Sequence, residues 1–274
     1  MNSDGSFDTS FGNNGVVVLA STPGVLALLS DGKLLLTGGG GGTGSSIVQR
    51  YDTNGQLDTG FGTGGSAPLV GLGPIALQSD AKILIPSTGF SLASLLVRYN
   101  TNGSLDTRFG SSGQASAVAT PAAVAVQTDR NMLTAGSVVS KLSLNGNTLG
   151  FGLTRFHSDG RTDTTFGKRG SVSTTFPNSS NTGANALVIQ PNGDIVAAGS
   201  AETSGNQAVS SFALARYLST GKLDNTFGNG GLVTTSFGNA AASISAAVLQ
   251  SDGKIVFVGS NGGGDLVVAR YLGQ

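Results

Sequence analysis

The chain has 274 residues, enough for one large domain or two small ones, and 38% of them are hydrophobic. Only 11% are charged, and 15 basic residues balance 15 acidic residues, so the sequence has no excess of positive charge for nucleic acid and no such partner is expected. The absence of cysteine excludes disulfides and thiolate metal sites.

The start of the chain and its apolar stretches bear on targeting. Residues 1–4 carry no basic segment followed by an apolar core, so we expect no signal peptide in this chain. The longest uncharged stretches, such as residues 16–30, are interrupted by Ser, Thr, Pro and Gly. They are too short to cross a bilayer, and we expect no membrane insertion.

A six-residue phrase, [LFT]-D-x-x-F-G, occurs five times at intervals of 48 to 61 residues. A recurring phrase with a period in this range is typical of an array of like structural units. The aspartates of the phrase are Asp8, Asp58, Asp106, Asp163 and Asp224. Its phenylalanines are Phe11, Phe61, Phe109, Phe166 and Phe227.

Each repeat has the same internal order after the phrase. A short apolar run comes first, and two apolar arms around a turn such as Ser30-Asp31-Gly32-Lys33 follow it. Asp-Gly or Asn-Gly between apolar runs is a strong hairpin signal, because these residues tolerate positive φ. A further strand ends in an arginine followed by an aromatic residue; these arginines are Arg50, Arg98, Arg155, Arg216 and Arg270. The pattern predicts four strands per repeat and no helix.

Several predicted strands are apolar on both faces, as in Leu26-Ala27-Leu28-Leu29. A sheet with one solvated face would alternate instead. Small four-stranded antiparallel sheets, covered on both faces and repeated, predict an all-β, five-bladed β-propeller. We expect one domain, with repeats at about 21–70, 71–119, 120–176, 183–236, and 243–274 plus 1–20.

The ends of the chain suggest how the array is completed. The last repeat stops after its third strand, and the chain begins just before the turn that would come next. We therefore expect the N-terminal strand, about residues 15–20, to be the fourth strand of the last blade, which would leave no open end strand. In the third repeat, residues 138–148 are longer than the pattern requires and predict either a small extra hairpin or a neutral surface insertion.

The string D-G-K-I/L-x-x-x-G, then A-R-Y, then x-x-G-x-L-D-x-x-F-G, resembles the bacterial delta-60 repeat over the whole chain. It resembles NHL repeats more weakly, by strand order. The resemblance implies a propeller fold and an exported bacterial protein, and it implies no catalytic residues. The third repeat has no D-G-K and the fourth reads Asn-Gly-Asp, so these two blades diverge most.

The repeated charged residues have two interpretations. Arginine and aspartate at one slot in every repeat predict either five equivalent ligand sites or a charge-assisted pair that braces each blade. We favour the structural pair, because a residue needed in every copy is usually needed by the architecture. The five phenylalanines are interpreted as buried wedges, each worth about 1.5–3 kcal/mol of burial.

Other candidate sites are weaker. Asp52, Asn54 and Asp58 have the alternating oxygens of a calcium loop, but no bidentate Glu closes it, and an Asx turn explains the same residues. The only histidine, His157, has no G-x-S-x-G motif to accompany it, and Glu202 is the only glutamate. We expect no metal and no cofactor.

Three functions remain open at this point. The first is a non-catalytic, monomeric binding or scaffold propeller that presents loops to a protein or a glycan. The second is a carbohydrate-binding lectin with several equivalent pockets between blades. The third is a hydrolase that uses Asp residues near a central channel. The fold does not choose among them.

Overall fold

The computed structural model describes residues 3–19, 22–39, 46–70, 73–88, 94–142, 147–203, 209–238 and 241–273. These residues form strands and turns without helix, in five antiparallel sheets, and the fold class is an all-β, five-bladed β-propeller. The chain divides into two compact units, Met1–Gln114 and Ala115–Gln274. No helix in the described residues has the length and hydropathy needed to cross a membrane.

The first unit begins with a sheet of four strands in sequential order. Its strands are β1 (Thr22–Leu28), β2 (Leu34–Gly39), β3 (Ser46–Tyr51) and β4 (Ser66–Leu69). The second sheet repeats this order with β5 (Ala76–Leu77), β6 (Ile83–Thr88), β7 (Ser94–Tyr99) and β8 (Gln114–Ser116). In each sheet the predicted hairpin supplies the first two strands, and the Arg-aromatic strand is third.

The second unit continues the pattern with longer strands. The third sheet has β9 (Thr120–Val126), β10 (Met132–Lys141), β11 (Thr148–Phe156) and β12 (Ser171–Thr174). The fourth has β13 (Ser179–Ile189), β14 (Ile195–Thr203), β15 (Ser210–Tyr217) and β16 (Leu232–Thr235). The fifth has β17 (Ser243–Leu249), β18 (Ile255–Ser260) and β19 (Leu266–Tyr271).

The hairpin turns show why Asp-Gly and Asn-Gly recur. The turn glycines Gly32, Gly193 and Gly253 have φ of 82°, 88° and 80°. The same position is held by Ala81 with φ of 59° and by Arg130 with φ of 69°. A left-handed residue with a side chain costs roughly 1–2 kcal/mol, so these two turns keep the geometry against the preference of their residues.

Adjacent sheets within each unit share apolar cores. In the first unit, Leu35 and Val48 of the first sheet pack with Ile83 and Val97 of the second. In the second unit, one face of the fourth sheet packs on the third, and its other face packs on the fifth through residues such as Val196 and Phe257. This double burial explains why its strands are apolar on both faces.

The predicted completion of the last blade is not seen in the described residues. The fifth sheet has three strands there, and residues 15–19 carry only an isolated bridge between Asn13 and Val16; Ala20 lies outside the described residues. One face of this sheet is exposed, with Val268 69% and Val248 58% accessible. The other sheets take their fourth strand from the chain that directly follows the third.

The insertion at residues 138–148 does not form a separate hairpin. It lengthens the existing one, because β10 and β11 stay paired out to Val139 with Leu149 and Lys141 with Thr148. Residues 143–146 lie outside the description. Glu202 also belongs to a lengthened strand, β14, where it pairs with Ser210; residues 204–208 are not described.

Candidate functional site

The repeated arginine, aspartate and phenylalanine form one cluster per repeat, here called the Arg–Asp–Phe cluster. In the fourth repeat, Arg216 Nε donates to Asp224 Oδ2 at 2.7 Å, and its guanidinium carbon lies 4.6 Å from the Phe227 ring centroid. Arg–Asp distances in the other three clusters are 2.7 to 2.9 Å, and Arg–Phe distances are 4.4 to 4.8 Å. These clusters are Arg50–Asp58–Phe61, Arg98–Asp106–Phe109 and Arg155–Asp163–Phe166.

Backbone hydrogen bonds set the geometry of each cluster. Asp224 N–H donates to the Arg216 carbonyl at 2.9 Å, and Phe227 N–H donates to the Asp224 carbonyl at 3.0 Å. Thr226 N–H caps Asp224 Oδ1 at 3.0 Å in an Asx-type turn. Arginine and aspartate are eight residues apart in sequence. The hydrogen-bonded segment between them folds back, and their side chains meet for that reason.

The clusters of Arg50 and Arg155 also reach the next repeat in their own unit. Arg155 Nη1 donates to the Ser219 carbonyl at 2.6 Å, and Gly167 N–H donates to the Thr220 carbonyl at 2.9 Å. The Phe166 ring lies where a side chain on Gly221 would stand. The first unit has the equivalent contacts, which join Arg50 to Thr101, Gly62 to Asn102 and Phe61 to Gly103.

The aspartates of the clusters are held in their charged form. A hydrogen bond from Lys33, helped by the Gly60 N–H and by Arg50, lowers the pKa of Asp58 to about 2 against the effect of burial. Hydrogen bonds from Thr226, followed by Arg216, lower the pKa of Asp224. Burial raises the pKa of Asp106, but Lys82 and Arg98 outweigh it, so the net pKa is lowered.

The lysine contacts were missed by the sequence reasoning. Lys33 Nζ and Lys82 Nζ each lie 2.8 Å from the cluster aspartate that follows in sequence. Both lysines close a hairpin turn, in D-G-K and D-A-K. A lysine recurring at one turn position, with an aspartate recurring downstream, was a signal that could have predicted the contact.

The fifth predicted pair, Arg270 with Asp8, involves residues of different units and stays a prediction. Asp8 is exposed and accepts hydrogen bonds from Ser10 N–H at 3.0 Å and from its hydroxyl at 2.5 Å. No short connection holds these two residues together, unlike the other four pairs. Phe11 is only partly buried, although its ring does lie against Gly55 of the next repeat.

The calcium candidates are already engaged. Asp52 Oδ1 accepts the Asn54 and Gln56 N–H groups at 2.9 Å, which is the Asx turn, while Asp58 is in its cluster. In the described residues no three His, Cys, Asp or Glu side chains come together as a metal site.

His157 and Glu202 stand apart from each other in the structure. His157 is half exposed, with Nε2 3.7 Å from Asp163 and Nδ1 3.3 Å from Asn131. Glu202 accepts a hydrogen bond from Asn181 at 2.8 Å across its hairpin.

Two grooves lie at corresponding positions beside the clusters. The first groove, in the first unit, has a volume of about 470 Å³, and the second groove, in the second unit, about 460 Å³. The first groove is lined by Gly62, Thr63, Ser66, Ala67, Pro68 and Gly103. The corresponding positions of the second groove are held, in the same order, by Gly167, Lys168, Ser171, Val172, Ser173 and Gly221. The shared positions follow from the repeat, which places the fourth strand of one sheet beside the turn of the next repeat.

Four segments of the chain are similar to a known protein family. A family described as "Domain of unknown function (DUF5122) beta-propeller" matches residues 29–61, 78–109, 190–227 and 250–273. These four segments are similar to the repeats of that family. The matched segments each include an Arg-aromatic pair, and three of them contain the complete Arg–Asp–Phe cluster. The name delta-60 stays a resemblance.

Several solved structures are similar to the chain at low sequence identity. A protein of unknown function from Dyadobacter fermentans is 13% identical with a TM-score of 0.53, covering 93% of this chain and 76% of that one. A gluconolactonase from Xanthomonas campestris is 12% identical with a TM-score of 0.48, covering 87% and 69%. A PQQ-bound aldose sugar dehydrogenase from Streptomyces coelicolor is 15% identical with a TM-score of 0.42, covering 93% and 95%. No curated protein sequence matches the chain.

Proposed function

We propose that this protein is a non-catalytic, monomeric binding module that recognises a protein or a glycan through the grooves and loops of its repeated sheets. The observation that carries the proposal is the recurrence of one groove at corresponding positions in both units. A groove that is part of the repeat recurs in each copy of the repeat. An active site instead needs several different side chains brought together at one place.

The engagement of the charged residues supports this proposal. Four of the repeated aspartates are bound to the arginine of their own repeat, and the pKa of each is lowered. A general acid at neutral pH requires the opposite, a carboxyl group with a raised pKa. These four aspartates therefore suit a structural role better than acid catalysis.

Carbohydrate recognition is the more specific candidate, because equivalent grooves would give a lectin several weak sites that act together. The two grooves differ, however, since Lys168 stands where the first groove has Thr63. We therefore expect the two grooves to differ in ligand preference. A hydrolase with Asp residues near a central channel is the alternative.

The proposal is tested by incubating the purified protein with a glycan array and, separately, with a panel of glycosides, lactones and esters. We expect retention on the array and no product from the panel. Turnover of a substrate that is lost when an aspartate outside the clusters, such as Asp194 or Asp265, is changed to Asn would replace the proposal with the hydrolase alternative.

A further inference from the structure

The first groove contains a buried tyrosine hydroxyl with no side-chain partner among the contacts described. The hydroxyl of Tyr217, at the corresponding position of the second unit, likewise has no partner within the described residues. Tyr99 is 3% exposed and lines the groove, and its hydroxyl accepts only a long hydrogen bond, 3.4 Å, from Val70 N–H among the contacts described. The corresponding Tyr271 has its hydroxyl 2.7 Å from the Thr235 hydroxyl. Leu69 stands where that threonine would be, so the strand offers the Tyr99 hydroxyl no side-chain acceptor at this position.

The lining of the first groove is uncharged. Thr63, Ser66, Asn102 and Ser104 place hydroxyl and amide groups around it, and Pro68 and Leu105 provide aliphatic carbon. Burial raises the pKa of Tyr99, so its hydroxyl stays protonated and can donate. An unpaired charge on a ligand would find no counter-charge among these lining residues.

The polar rim is held in place by its own hydrogen bonds. Asn102 Oδ1 accepts the Ser104 N–H at 3.0 Å and the Ser104 hydroxyl at 2.7 Å, which holds the Asn102 side chain in place. The Asn102 carbonyl accepts Gly62 N–H at 2.7 Å, which fixes the two walls of the groove relative to each other. A preformed site of this kind loses little entropy when it binds.

An extended peptide is a poor occupant of this groove. A peptide bound by strand addition would pair with the open edge of β4, where main-chain N–H groups supply the affinity. Pro68 lies in the middle of β4 and has no N–H. This edge is therefore interrupted at its centre.

We propose that the first groove binds a neutral pyranose, with the Tyr99 hydroxyl donating to a sugar oxygen at the floor. A pyranose has hydroxyls at its edge and C–H groups on its faces, which matches a rim of Thr63, Asn102 and Ser104 around the carbon of Pro68 and Leu105. The volume of about 470 Å³ is in the range of small-molecule sites. The inference rests on the proposed binding function and names its ligand class.

The test is saturation-transfer NMR of the full chain with maltose, cellobiose and lactose, and a sedimentation assay with starch and cellulose particles. The soluble sugars report recognition of a free sugar, and the particles report recognition of a polysaccharide. We expect saturation transfer to at least one neutral sugar, and a Tyr99→Phe variant that binds it roughly three- to tenfold more weakly, as for one neutral hydrogen bond. Tyr271→Phe is the matched control, because it removes a hydroxyl at the same repeat position outside this groove, and it should bind normally.

A second variant guards against misfolding. Thr63→Lys combined with Ser104→Lys copies Lys168 and Lys222, which the chain already carries at the corresponding positions, so we expect it to fold. Two long cationic side chains at the rim should reduce binding to below detection with an unchanged unfolding midpoint. Binding that survives in both variants would overturn the groove assignment while leaving the binding function in place. The absence of any saturation transfer to the wild-type protein would overturn the ligand class, and array retention of a non-glycan partner would then still support the binding function.

Discussion

At the scale of single residues, the repeated charges stabilise the fold. Arg216 and Asp224 are each 7% exposed and satisfied by hydrogen bonds on both sides. Such a pair adds little compared with an apolar core, but the loss of one partner leaves a buried charge uncompensated. The sensitivity to mutation is therefore large even where the net gain from the pair is small.

We predict that Asp224→Ala lowers the free energy of unfolding by about 3–5 kcal/mol, because Arg216 loses its buried counter-ion. The matched control is Asp252→Ala, which breaks an exposed pair with Lys254 and should cost about 0–1 kcal/mol. Urea denaturation followed by circular dichroism measures both. Equal and small effects would mean that the cluster does not brace the repeat, and the ligand-site interpretation of these residues would return.

The pH dependence has a defined direction at Asp58. Its folded pKa, about 2, lies below the ordinary value of 3.8, so its contribution to stability is present above pH 3.8 and is lost as the pH falls toward 2. We predict that Lys33→Ala moves the Asp58 titration midpoint upward, toward 3.8, because it removes the largest cause of the shift. Carboxyl ¹³C NMR, recorded from about pH 1.5 to about pH 5, reports the titration midpoint of Asp58 directly.

An unchanged midpoint in Lys33→Ala would contradict the role assigned to the lysine. Asp4 offers an internal reference in the same spectra, because its lowered pKa comes from Ser6 and should not respond to Lys33.

At the scale of elements, the turns join one repeat to the next. Gly221 has φ of +85°, and a Cβ there would lie 2.9 Å from the Phe166 ring and 3.0 Å from Gly167 N. The residue therefore serves two needs at once, a left-handed turn and a close approach to the aromatic wedge. Gly103 does the same against Phe61 in the first unit.

We predict that Gly221→Ala destabilises the protein more than Gly230→Ala. Both positions have positive φ and pay the left-handed penalty of roughly 1–2 kcal/mol, but a Cβ on Gly230 meets nothing within 4 Å. The difference between the two variants in urea denaturation isolates the contact with Phe166. Equal destabilisation by the two variants would show that the Phe166 ring moves away from the added methyl group without loss of stability.

The last sheet provides a second comparison at this scale. Val268 is 69% exposed, whereas Leu214, at the corresponding position of the fourth sheet, is fully buried. We predict that Leu214→Ala costs about 2–5 kcal/mol and that Val268→Ala stays within about 0.5 kcal/mol. A large cost for Val268→Ala would show that this face is covered in solution and that the three-stranded description of the last sheet is incomplete.

How much of the fold the sequence predicted depends on how local the signal was. The hairpin turns, the strand order and the four complete Arg–Asp–Phe clusters are set by residues close in sequence, and the repeat made each of them visible several times. The pairing of residues 15–20 with the last sheet, and of Asp8 with Arg270, required contacts across the whole chain, where no local connection enforces them. The described residues show three strands in the last sheet, and the pair of Asp8 with Arg270 stays a prediction.

The candidate site was harder to predict for a related reason. A groove is the space left between a strand and a turn that are distant in sequence, and no motif marks it. The replacement of a threonine by Leu69 near Tyr99 becomes meaningful only when the structure shows that Tyr271 uses Thr235. With that contact known, aligning the repeats shows that Leu69 stands at the position of Thr235.

At the scale of the whole molecule, an array of repeated sheets is better suited to ligand binding than to catalysis. The chain has one histidine, one glutamate and no cysteine, and the four complete clusters hold their aspartates in arginine pairs. A uniform architecture can then vary single side chains in each groove, as Thr63 and Lys168 do, and so vary its ligands without changing its fold.

We propose that the folded protein binds a ligand and leaves it chemically unchanged. The most direct measurement is a proton NMR time course of the full chain with a mixture of neutral oligosaccharides, followed over a day. We predict saturation transfer to at least one sugar while every sugar signal keeps its intensity. New product signals that appear only with the folded protein would contradict the claim.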